Sequence, residues 1–116
     1  MADRIYVRDF YPPGKIIFEE GRTAYDMFII EDGHVEIWKK SGSERKTIIV
    51  IGKGKIFGEM ALIDGSARMA TAEATQNGAT CIRINAQKLE EALSQSPPLI
   101  RTLMKALVEN LRRVQK

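Results

Sequence analysis

Two hydrophobic periods divide the chain. From Val7 to about Ile84, apolar residues come in short runs bounded by Gly, Pro, Asn or Asp, whereas from Asn85 onward they recur every three or four positions. The first period belongs to strands with one buried face and the second to amphipathic helices. Pro12, Pro13 and Gly14 lead into a strand over 15–19, which Glu20 and Gly21 close. A run over 26–30 ends at Glu31, Asp32 and Gly33, an acidic-Gly hairpin signal. His34, Val35, Glu36, Ile37 and Trp38 alternate strictly, giving one apolar and one wet face. Residues 41–44 read as a loop, and the β-branched run 47–51 predicts a buried strand. Gly52, Lys53 and Gly54 turn the chain into Ile56 and Phe57, and two further strands, 71–75 and 80–84, meet at Asn77 and Gly78. Short strands at this spacing predict a β-sandwich, roll or barrel.

The last third predicts two helices. Asn85 caps the first, 86–94, whose Leu89, Ala92 and Leu93 share a face. Ser96 is placed to cap the second, 97–114, with Pro97 in its first turn. Leu99, Ile100, Leu103, Met104, Leu107, Val108 and Leu111 form its apolar stripe. The expected organisation is one domain over 1–116, a β body over about 6–84 followed by a helical tail, with no Ser/Gly-rich linker between.

Composition narrows the function classes. With 44% hydrophobic and 28% charged residues the chain is globular. A single cysteine, Cys81, excludes an internal disulfide framework and fits a reducing, cytoplasmic setting. Cys81 with the lone His34 cannot build a His/Cys metal site, which also removes a metal enzyme of the cupin type. No apolar run approaches the length of a membrane span, and the N-terminus lacks an apolar signal core. The net charge of +3 is unevenly placed. Residues 100–116 hold five cations against Glu109 alone, a balance of +4 that leaves 1–99 at −1. A DNA-reading surface would want its basicity across the body or on a reading helix.

The segment 57–71 carries the chemistry. A strand ends at Phe57, and Gly58 lets the backbone turn and approach a ligand. Residues 59–63 make one apolar helical turn, too short to stand alone, whose N-terminal N–H groups suit a small anion. Asp64, Gly65 and Ser66 end it, and Arg68 returns as a forked cation able to grip phosphate in two places. Glu59 is the wrong charge for a phosphate and the right acceptor for the hydroxyl of an attached sugar.

Phe57-Gly-Glu-Met-Ala-Leu62, with Arg68 nine residues after Glu59, resembles the phosphate-binding cassette of the cyclic-nucleotide-binding domain family. The resemblance extends from Phe10 through Gly21, and from Met27 through Gly33, to the final helix. It implies an eight-stranded antiparallel β-roll (a jelly roll) with a short phosphate-binding helix and a C-terminal lid helix. It further implies a non-enzymatic sensor that takes cyclic AMP, or cyclic GMP second, as ligand and needs no cofactor. Glu59 would accept from the ribose 2′-hydroxyl and Arg68 would pair with the cyclic phosphate. The backbone of Gly58, Met60, Ala61 and Leu62 would line the same ligand, with Met69 and Ala70 beside it. Ile37 and Ile49 would wall the pocket, and Leu107, Leu111 or Arg112 would close over the base. Where many members carry Ser, Thr or Ala after the arginine, this chain has Met69, which removes a hydroxyl contact and disfavours guanine. The family's N-terminal helix is expected to be short or missing, and no helix-turn-helix segment follows in these 116 residues.

Other readings of the same residues stay open at this point. The fold could be kept with the ligand site lapsed, leaving a protein-interaction module, or the chain could be a relative of DNA regulators. Gly52-Lys53-Gly54-Lys55 is a hairpin turn and not a phosphate loop, since neither Ser/Thr nor a helix follows the lysine. Cys81 reads as an inert core thiol and Glu90-Glu91 as a helix surface. The basic face of the last helix would be solvated, or would hold a protein partner or a second copy. No direct contact with nucleic acid or membrane is expected.

Overall fold

The computed structural model describes residues 7–115, with Arg113 the one side chain described within 111–115. Six strands and three helices follow one another: β1 Val7–Tyr11, β2 Ile16–Phe18, β3 Asp26–Ser41, β4 Glu44–Ile51, β5 Ile56–Phe57, α1 Glu59–Asp64, β6 Thr71–Asn85, α2 Ala86–Ser94 and α3 Pro98–Gln115. The sheet runs β1-β6-β3-β4, with β2 also on β6 and β5 on β3. Every pairing is antiparallel. The mainly β architecture with C-terminal helices is the one expected.

Two expected hairpins are instead bends within long strands. Asp32-Gly33 and Asn77-Gly78 do not reverse the chain; β3 and β6 continue through them. Both glycines adopt positive φ, 83° and 71°. They meet each other where the β3–β6 register slips between Ile30 and Asp32 and again between Gly33 and Val35. A Cβ on Gly33 would stand 2.1 Å from the Gly78 carbonyl oxygen. A glycine signal in sequence reports the need for positive φ, which a bulge and a turn share. Counting each long strand as two arms restores eight segments.

The core lies along the two long paired strands, β3 and β6. Phe28, Ile30, Val35, Phe57, Ala72, Ala74, Ala79 and Cys81 are buried together, with Tyr11, Ile17, Phe18, Ile37 and Ile51 packed against them. Phe28 and Phe57 stack at 5.0 Å between centroids, and Phe18 lies 5.8 and 5.9 Å from these two rings. Each such aromatic or branched side chain removed from water contributes about 1.5–3 kcal/mol. Cys81 is fully buried, and burial pushes its thiol up to about 11, so it is the inert core group expected.

The 47–51 run is a strand but not a buried one. It belongs to β4 at the sheet edge, and Ile48, Ile49 and Val50 are each about half exposed. Its β-branched composition reports strand geometry, whereas burial depends on which layer covers the strand. In the tail, the Asn85 side chain accepts from the Lys88 N–H at 2.8 Å, as a cap should. Ser96 does not cap α3: its hydroxyl donates to the Ala92 carbonyl at 3.1 Å, and α3 begins at Pro98. Helix α3 lies against α1 and α2, burying Val108 while leaving Leu99, Leu103 and Leu107 exposed. No helix among the described residues is long and apolar enough to cross a membrane.

Candidate ligand site

The cassette closes one side of a cavity of about 590 Å³. Gly58, with φ 81°, takes the chain out of β5 and sits at the N-cap of α1. Gly65, with φ 77°, ends the helix and returns its N–H to the Ala61 carbonyl. Ser66 then donates from both N–H and hydroxyl to the Asp64 carboxylate, at 3.0 and 2.6 Å. A six-residue helix held by two left-handed glycines is therefore built to re-aim the chain from β5 toward Arg68.

All the hydrogen bonds that hold Arg68 in the wall are to backbone. Its N–H donates to the Arg22 carbonyl and its own carbonyl accepts from Gly21, at 2.9 and 2.8 Å, clipping it to the loop between β2 and β3. Its Nη1 donates to the Gly58 carbonyl at 2.6 Å and its Nη2 to the Asp26 carbonyl at 2.5 Å. The guanidinium lies over the Phe18 ring, 3.9 Å from its centroid. Only 5% of the residue is exposed, yet among the described residues no carboxylate forms an ion pair with it and Nε has no hydrogen-bond partner. Burial lowers its pKa below the ordinary arginine value, against the pull of Asp26 and Glu59. A buried cation so incompletely matched is costly unless an anion joins it.

The cavity gathers most of the expected residues. Gly58, Glu59, Met60, Ala61, Arg68, Met69 and Ala70 line it, and Ile37 and Ile49 stand opposite. Leu62 is half-buried but does not line it. Leu107 is 52% exposed and also stands apart from the lining, and the side chains of Leu111 and Arg112 lie outside the described residues. Sequence reasoning missed Phe18, Lys39, Lys46 and Ile48. Phe18 is fifty positions from Arg68 and reaches it through β2. Ile48 faces the cavity beside Ile49 because the β3–β4 register slips between Ile37 and Trp38, leaving Ile48 without an opposite residue. A strict alternation would have sent these two isoleucines to opposite faces.

Among the described residues, no group of three His, Cys, Asp or Glu side chains is placed to hold a metal ion. The chain is thus an antiparallel roll with a short helix between two left-handed glycines, followed by a buried arginine that has no carboxylate partner among the described residues. Residues 8–96 match the profile of the cyclic nucleotide-binding domain, and the chain belongs to that family. It is 32% identical over 78 residues to the cyclic AMP receptor protein of Thermus thermophilus, covering 66% of this chain and 36% of that protein. It is 29% identical over 107 residues to human cGMP-dependent protein kinase 2, covering 90% of this chain and 14% of the kinase. Among solved structures, an EAL enzyme in its cAMP-bound form superimposes with a TM-score of 0.82 at 33% identity, covering 95% of this chain and 29% of the other. The chain thus spans well under half the length of these proteins.

Proposed function

We propose that this chain is a non-enzymatic sensor domain that binds cyclic AMP, and cyclic GMP less well, in the Arg68 cavity. The observation that carries the reading is the burial of Arg68 without a carboxylate partner. A cyclic phosphate supplies the missing negative charge, and Glu59, also in the lining, is the acceptor for the ribose 2′-hydroxyl. Gly58, Met60 and Ala61 bring backbone to the same ligand, and Met69, in place of a hydroxyl residue, favours adenine over guanine. Ile37, Ile48 and Ile49 give the base an apolar wall. The cost of burying Arg68 without a carboxylate partner argues against a lapsed site.

Ligand orders the cassette, and α3, which lies against α1, carries the change outward by moving over the base with its far end at Leu111 and Arg112. Its exposed Leu99, Leu103 and Leu107 form the surface for a protein partner or a second copy. Switching from 1:99 to 99:1 would require about 5.5 kcal/mol of differential affinity. No cofactor, nucleic acid or membrane enters this cycle, and the setting is cytoplasmic. Thermal melts with cyclic AMP, cyclic GMP and AMP test it. At a hundredfold excess over Kd, cyclic AMP should raise Tm by on the order of 10 °C, cyclic GMP less and AMP hardly at all. Equal Tm values in all three would refute it.

A further inference from the structure

The hairpin that walls the cavity treats its charges differently on its two faces. On one face Arg45 pairs with Glu36 at 2.7 Å and with Glu73 at 3.2 Å, and lies 4.2 Å over the Trp38 ring. Trp38 Nε1 donates to the same Glu73 carboxylate at 3.1 Å. On that face Arg45 is matched twice, although Lys40 stands opposite it in the ladder. On the cavity face, Lys39 of β3 stands directly opposite Lys46 of β4, and both line the cavity. Neither has an ion-pair or hydrogen-bond partner for its ammonium among the described residues. Like charges directly opposed across a ladder are destabilising. With Arg68, they give the cavity lining three cations against the single carboxylate Glu59. This excess sits in a body, residues 1–99, whose own balance is −1.

The three cations are not equivalent. Arg68 is 5% exposed and fixed by two carbonyls, whereas Lys39 and Lys46 are exposed and unpinned. A buried, fixed cation determines how firmly a bound anion is held, and exposed cations at a rim act chiefly on diffusional capture. We infer that Lys39 and Lys46 form an outer cation pair that draws the anionic nucleotide into the cavity and sets its association rate, leaving retention to Arg68. The inference rests on the proposed nucleotide site and assigns it an entry side, the β3–β4 hairpin.

Stopped-flow association and dissociation of a fluorescent cyclic AMP derivative test it, comparing the parent, Lys39→Gln/Lys46→Gln, and a charge-matched control, Lys53→Gln/Lys55→Gln, whose lysines do not line the cavity. At low salt the cavity variant should associate about three- to tenfold more slowly. Its dissociation rate should stay within about twofold of the parent, and the control should match the parent. The difference should vanish near 1 M salt, where the Debye length is about 3 Å. Its Tm should be unchanged or slightly raised, since an opposed like-charge pair is removed. Equal association rates in parent and cavity variant, an equal slowing in the control, or an effect confined to dissociation would overturn the inference while leaving the site itself standing. A parent that does not bind the nucleotide at all overturns both.

Discussion

Arg68 and Arg45 each lie over an aromatic ring, at 3.9 Å from Phe18 and 4.2 Å from Trp38, and there the likeness ends. Arg45 is well exposed, pairs with two carboxylates and shares one of them, Glu73, with its ring partner. Arg68 is buried, is held by carbonyls, and keeps an unpartnered Nε. The same pair of residue types therefore builds a closed surface cluster in one place and an unfinished one in the other. Arg45 is matched by carboxylates of the chain itself, while the buried Arg68 has none among the described residues. This electrostatic incompleteness separates Arg68 from Arg45 more sharply than residue type does, and it is what the proposed phosphate role rests on.

The comparison breaks most visibly at the arginines themselves. Arg68→Ala should weaken cyclic AMP binding by about 2–5 kcal/mol in a calorimetric titration. Arg45→Ala should leave binding unchanged and cost below about 1 kcal/mol of stability in urea, because exposed pairs are screened by water and salt. Next comes Gly58, where a Cβ would meet Arg68 Nη1 at 2.7 Å and the Phe18 ring at 3.1 Å. Gly58→Ala should cost about 1–3 kcal/mol from its positive φ alone, and should weaken binding as well by displacing Arg68. Gly54→Ala, with the same backbone sign but open space around the Cβ, should show the stability loss without the binding loss.

The rings give a smaller contrast. Phe18→Leu should weaken nucleotide binding by about 1–2 kcal/mol by loosening a desolvated arginine, and Trp38→Leu should have no measurable effect on affinity. The smallest effect is a pH dependence at Asp26, whose carbonyl accepts from Arg68 and whose carboxylate lies 3.8 Å from Arg83. Burial pushes the Asp26 carboxyl above its ordinary 3.8, with Arg83 and then Arg68 pulling it back. The folded chain therefore holds this proton at pH values where the unfolded chain has released it. Its contribution favours folding below 3.8 and is lost as pH rises through the folded value. Urea titrations across that window should show Asp26→Asn gaining stability relative to the parent as pH rises.

The cassette was legible because its signals are local. Gly58, Glu59, Gly65 and Arg68 fall within eleven residues, and each glycine adopts the positive φ that its place in the turn demands. Asn85 was legible as a cap for the same reason. What escaped was relational. Gly33 and Gly78 could be seen as special backbone positions, but not that each sits at a bend because of the other. The slip that leaves Ile48 unopposed is invisible in an alternating run, and with it went the placement of Lys39 and Lys46 in the cavity. The burial of 47–51 was misjudged because nothing in that run states that β4 is an edge strand. Phe18 was passed over because its partner, Arg68, lies fifty residues away.

On the proposed reading, Arg68 is the cation that takes the nucleotide phosphate. That role is tested most directly by following the arginine Nε–H signals by two-dimensional NMR while cyclic AMP is added. The Arg68 signal should shift and saturate at one nucleotide per chain, while that of Arg45 stays in place. Arg68 and Arg45 moving together, or an Arg68 signal that does not move at saturating nucleotide, would contradict it.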